Sequence, residues 1–223
     1  MGPRQDHRGR ARAAARARVQ PLSHRVIEVA PERLERWLAG FADRHGPVDA
    51  AEEETPGGIV VSATAADGST VVATPFGFDP LGIVLIRRGG YAVGLATGSA
   101  LTAHKVGTRR VQSRTAAGGW SQQRFARRRV NQADELVGAV VGHARRILLG
   151  DDESPRSGAK GMPRALLLGG DRTLAGEVLA APALRALAGL PTRELYDLPD
   201  PRRAVLEDAL RRARAVRIEL TET

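Results

Sequence analysis

Cysteine is absent from the 223 residues, which excludes disulfides and thiolate metal sites and fits a reducing cytoplasm. Aromatic residues make up only 4%, so the core has to be assembled from Ala, Val, Leu and Ile. No apolar run approaches the ~18 residues of a membrane span, so no membrane partner is expected. The arginine-rich N-terminus lacks the apolar stretch of a secretory signal. Histidines are few and scattered: His7, His24, His45, His104 and His143 share no ligand spacing, and no metal site is expected. Phosphate-binding glycine motifs are missing too. "LLLGGD", residues 166–171, matches neither G-x-G-x-x-G nor the P-loop and reads as a strand-to-helix turn. Nothing in the chain asks for a cofactor.

What is present in excess is arginine. The chain carries 34 Lys and Arg against 25 Asp and Glu, a net charge of +9. Within residues 101–149 the imbalance sharpens. Lys105, Arg109, Arg110, Arg114, Arg124, Arg127, Arg128, Arg129, Arg145 and Arg146 face only Asp134 and Glu135. Such a concentration of positive potential fits a polyanionic partner, with a merely solvated basic face as the plain alternative. Hydrophobic residues at 42% indicate a globular fold.

The order of patterns predicts an α/β fold. Residues 1–20 are rich in arginine and poor in large apolar residues, a basic arm without a core; residues 21–223 are read as a single domain. A short strand at "HRVIEVAP" precedes a helix beginning near Pro31, and Glu52, Glu53 and Glu54 read as a loop. "GIVVSATA" and "STVVATPF" flank an Asp67-Gly68 turn, and "GIVLI" returns through Gly89-Gly90, giving two hairpins. "LTAHKVGTRRVQSR" continues as a further strand. From Ser121 to about Leu149 one helix is expected, its buried line running through Ala126, Val130, Ala133, Val137, Val140, Ala144 and Ile147. After a polar linker come the strand "RALLLGG", two short helices near 174–180 and 183–188, a strand at "TRELYDL", a helix after Pro201 and a closing strand "VRIEL". Hairpins, a long helix and then β-α-β predict one mixed sheet with helices on both faces. The same order suggests ribonuclease-H architecture. The central strand "GIVLIRR" carries no carboxylate, however, and a two-metal nuclease needs a carboxylate cluster there.

The densest chemistry lies in "AAGGWSQQRFARRR", residues 116–129. The pair Gly118-Gly119 permits backbone conformations closed to other residues and lets the main chain approach a substrate. Gln122, read as part of this polar loop, is no base at neutral pH, but it can orient water and donate to a developing oxyanion. Trp120 can stack on a base, and the arginines can bind phosphates. That combination suits a substrate bringing its own reactive ester and its own nucleic acid, as peptidyl-tRNA does.

The stretch resembles the Gly-Gly-Gln loop and following helix of the eukaryotic and archaeal peptide-chain release factor. Gly118-Gly119, Ser121 and the run Arg124-Phe125-Ala126-Arg127 match in register, and the resemblance extends from about Arg25 to the C-terminus. Trp120 stands where that factor has its glutamine, and glutamines follow at 122 and 123. In this respect the chain is similar to the Vms-like release factors, actinobacterial branch. Their eukaryotic relatives use a Gly-Ser-Gln loop to clear nascent chains from tRNA on stalled large ribosomal subunits.

The resemblance implies a ribonuclease-H-like release-factor fold and a peptidyl-tRNA hydrolase acting in ribosome rescue and quality control. Gln122 is the implied catalytic residue, with Gln123 as the alternative, and Gly118, Gly119 and Ser121 form the rest of the loop. Lys105, Arg109, Arg110, Arg114, Trp120, Arg124, Arg127 and Arg128 are the expected contacts to peptidyl-tRNA and to large-subunit RNA. Decoding, GTPase-binding and zinc-finger parts are missing, so stop-codon reading is not expected. Two rivals stay open: metal-independent cleavage of the tRNA 3′ end, and a non-catalytic RNA-binding rescue adaptor.

Overall fold

Alternation, turn chemistry and two uninterrupted apolar runs divide the chain into two sheets. The computed structural model describes residues 23–108, 121–151, 154–155 and 161–223, with backbone alone described for 121–131, 151 and 154–155. The first sheet is antiparallel throughout. It contains β1 (Ser23–Val29), β2 (Val48–Thr55), β3 (Gly58–Ala65), β4 (Thr70–Thr74) and β12 (Val216–Glu222), in the order β1-β12-β4-β3-β2. Among the described residues one face is covered, by α1 (Leu34–His45), which follows a 3-10 turn at Pro31–Arg33. Phe41, Leu34, Trp37 and Leu38 pack there against Ala63, Ala65, Val71, Ala73, Val216, Ile218 and Leu220.

The second sheet carries the apolar runs. Its strands are β5 (Leu81–Arg87), β6 (Gly90–Thr97), β7 (Ala100–Thr108), β10 (Ala165–Gly170) and β11 (Thr192–Leu195), ordered β11-β10-β5-β6-β7. β5, β10 and β11 run parallel, while β6 is antiparallel to both its neighbours. "LGIVLI" is buried along its whole length because both faces are covered. Val84 and Ile86 join the core under α2 (Ser121–Ala144) and α3 (Arg172–Leu179), whereas Leu81, Ile83 and Leu85 join the core under α4 (Arg203–Arg214). A two-stranded ribbon, β8 (Gly150–Asp151) with β9 (Ser154–Pro155), follows α2, and a 3-10 turn at Pro182–Leu187 follows α3. No helix among the described residues is long and apolar enough to cross a membrane.

The α/β class with a mixed sheet and helices on both faces holds for the second sheet. The separate antiparallel sheet is a finding beyond that expectation. β12 inserts between β1 and β4, so the first and last described strands are neighbours in one sheet. No local pattern announces a pairing across that sequence distance. The three glutamates expected in a loop lie instead in β2, an edge strand paired among the described residues with β3 alone. An edge tolerates them because their side chains stay in water, and the charge discourages pairing with another chain.

α2 ends at Ala144 and passes into a π turn, Arg145–Leu149. Its buried line is Leu136, Val140, Ala144 and Leu148, four residues apart, with Ala133, Val137, Val141 and Ile147 half-buried on the flanks. The expected face is therefore rotated: the larger leucines take the centre. "LLLGGD" is a strand-to-helix turn. Gly170 sits at φ +95°, where a Cβ would lie 2.2 Å from the Ile86 carbonyl oxygen. The Asp171 carboxylate caps α3 by accepting from the backbone N–H groups of Thr173 and Leu174 at 3.0 and 3.1 Å.

Candidate nucleic-acid interface

β7 is an edge strand, and its last described residue, Thr108, pairs with Gly90 at the start of β6. The chain resumes as a helix at Ser121. Residues 109–120 therefore link β7 to α2 in the sequence. Arg109, Arg110, Arg114, Gly118, Gly119 and Trp120 lie outside the described residues. Ser121, Gln122, Gln123, Arg124, Arg127 and Arg128 all occupy the first turns of α2. This corrects the placement of Gln122 in the loop proper: it and Gln123 are helical, immediately after the loop. A helix start leaves backbone N–H groups without intrahelical partners, and the helix dipole adds positive potential. No acidic residue lies in that first turn.

The described packing of α2 side chains begins at Ala133 and ends with the core line to Leu148. Gln122 stands about 16 Å of helix ahead of Ala133 at 1.5 Å per residue. The core thus anchors the C-terminal half of α2, while the glutamines and Arg124, Arg127 and Arg128 belong to the other half.

Lys105 is exposed on β7, opposite Val93 of β6. It sits beside a group that the sequence did not single out as a site. Tyr91, next to Gly90 on β6, stacks on His143 of α2, with ring centroids 5.4 Å apart and planes inclined by 20°. The other side of the phenol ring lies against Gly107 of β7. A Cβ at that glycine would sit 2.4 Å from the ring and 2.6 Å from the hydroxyl oxygen, so the residue must lack a side chain. Partial burial lowers the pKa of His143, and the charges of Arg146 and Lys105 lower it further. The one signal in the sequence was a glycine inside a strand, "HKVGT", which marks a close approach by something else. His104, exposed on the same edge strand, pairs with Gly94 and keeps its expected place at the sheet edge.

Lys105 and Arg146 are the charges that act on the His143 imidazole, and the sequence at the start of the same helix holds Arg124, Arg127, Arg128 and Arg129. Comparison with curated proteins gives no match. The family described as Actinobacteria/chloroflexi VLRF1 release factor matches residues 79–219, which include the whole second sheet, the 109–120 connection and α2. That span is more than half of the chain, and the chain belongs to this release-factor family.

Proposed function

We propose that the protein is a peptidyl-tRNA hydrolase that frees nascent chains from tRNA on stalled large ribosomal subunits. The observation that carries the reading is the family match across residues 79–219, because it contains both the Gly118-Gly119 segment and the arginine-rich start of α2. Family membership supports a release-factor role in translation, with the ribosome as partner. The rest is chemistry. Gln122, in the first turn of α2, places the attacking water or donates to the oxyanion. A main-chain N–H supplies the second donor, and Gly119 allows the close approach. Lys105, Arg109, Arg110, Arg114, Arg124, Arg127 and Arg128 hold RNA phosphates, and Trp120 stacks on a base. Residues 1–20 add a basic arm to residues 21–223, which act as one catalytic unit in the cytoplasm.

The strand order supports a ribonuclease-H-like framework. β5, β6 and β7 form consecutive hairpins at one side, and β10 and β11 extend the sheet in parallel on the other, each entered through a helix. β5, the central strand, carries no carboxylate. The framework therefore serves as a mount for the loop.

The test is incubation with peptidyl-tRNA on isolated large subunits, resolving intact, deacylated and shortened tRNA. Deacylated tRNA with a complete 3′ end is expected. A shortened tRNA would indicate cleavage of the RNA chain instead, and persistence of peptidyl-tRNA would leave a rescue adaptor.

A further inference from the structure

We propose that Tyr91, Lys105 and His143 form a built phosphate site for an RNA backbone, about 32 Å along α2 from Gln122 at 1.5 Å per residue. The proposal rests on the reading of the protein as an RNA-acting factor and names a contact that the loop itself does not make.

Three elements converge to make the site. β6 supplies Tyr91, β7 supplies Lys105 and α2 supplies His143. The tyrosine ring is fixed between the bare backbone of Gly107 and the imidazole, so its position does not depend on a flexible stem. Tyr91 and His143 are both half-buried, and neither group is an orphan sealed in the core. Among the described residues they offer a ligand two donors beside the Lys105 ammonium.

Electrostatics selects the ligand. The two charges that act on His143 are Lys105, from the strand packed against it, and Arg146, from its own helix; β6 contributes the neutral Tyr91. Both of these charges are positive. Like charges gathered around a titratable ring disfavour its protonation until an anion arrives. A phosphodiester supplies that anion, accepts from the imidazole, the ammonium and the phenol, and draws a proton onto His143. Binding and proton uptake are therefore linked. A helix C-terminus also favours nearby cations, but that effect explains neither the glycine cleared for Tyr91 nor the stack beneath the histidine.

The experiment uses the full chain with two RNA probes, deacylated tRNA and isolated large subunits, at pH 6 and pH 8. Wild-type affinity for one or both probes should be greater at pH 6, and His143→Gln should remove that difference. Lys105→Met should weaken binding about fivefold or more at both pH values, with an unchanged melting temperature. In NMR titrations with a short RNA duplex the His143 pKa should rise on binding. Lys105→Met should raise it in the free protein, where a repulsive charge has been removed. Response to only one probe identifies which RNA provides the phosphate. If both variants bind both probes as the wild type does, or if saturating duplex leaves the His143 pKa unmoved, the site does not exist. None of these readouts involves peptide release, so a protein that releases no peptide yet shows the His143 response would overturn only the hydrolase reading.

Discussion

Arg193 donates through Nη1 to the backbone oxygen of Ala215 at 2.6 Å, and to that of Ala213 at 2.8 Å. One side chain from β11, the edge of the second sheet, thereby satisfies carbonyls at the end of α4 just before the chain enters β12 of the first. The guanidinium also lies over the Phe76 ring, 4.8 Å from its centre. Arg212 continues the connection. It binds both carboxylate oxygens of Glu28 on β1, at 2.9 and 3.1 Å, and both of Asp197, at 3.1 and 2.9 Å. The two sheets are joined through α4 by arginines in structural roles.

Removing Arg193 should therefore destabilise the fold. An unsatisfied buried acceptor costs about 1–3 kcal/mol, so Arg193→Ala should lower the melting temperature by roughly 2–12 °C. Arg193→Lys should recover only part, because an ammonium cannot reproduce the planar fork. Arg203→Ala, which removes an exposed i,i+4 pair with Glu207, should change stability by less than about 0.5 kcal/mol. Thermal melts of the three variants check the ranking.

Glycine substitutions separate a required clearance from an idle position. Gly107→Ala pushes a methyl group into the Tyr91 ring and should cost about 1–3 kcal/mol, with loss of the Tyr91–His143 stack. Gly138, inside α2, has open space around the place of its Cβ, and Gly138→Ala should stabilise by about 0.5–1 kcal/mol. Chemical denaturation of the two variants should give shifts of opposite sign.

His143 also predicts a pH effect on stability. Its folded pKa lies below the ordinary value of about 6.5 expected for the unfolded chain. The unfolded state thus binds more protons in the window between the two values. The contribution is complete above about pH 6.5 and is lost as pH falls through that window. His143→Gln should lose less stability than the wild type between pH 7.5 and pH 5.5. Equal losses in paired melts would contradict the assignment.

Much of this fold was legible from short-range patterns. The Asp67-Gly68 hairpin, the buried run of β5, the helix starting at Ser121 and the turn at Gly170-Asp171 each follow from local chemistry acting within a few residues. What escaped was non-local. β12 pairs with β1 and β4 across most of the chain. The strand nature of β2 was hidden by glutamates that only an edge position tolerates. The Tyr91–Gly107–His143 group needs three elements at once, so only the mid-strand glycine hinted at it. The loop residues were legible for a different reason: their sequence resembles a family. Gly118, Gly119 and Trp120 lie outside the described residues.

The arginines at the start of α2 should dominate RNA affinity. Arg124 and Arg128 stand one turn apart on a helix whose first turn has no acidic residue. Replacing both with alanine should weaken RNA binding and reduce the slope of log K against log salt by about two phosphate contacts' worth. A wild-type slope in the double variant would show that other residues carry the phosphate contacts.

Peptide release by Gln122→Ala on isolated large subunits carrying peptidyl-tRNA tests the central claim most directly. One well-aimed donor to water or oxyanion accounts for roughly 10²–10³ in rate. The variant should bind subunits and melt as the wild type does but release peptide about that much more slowly, while Gln123→Ala keeps most activity. Wild-type release by Gln122→Ala, Gln123→Ala and the double variant alike would contradict a glutamine-dependent hydrolase.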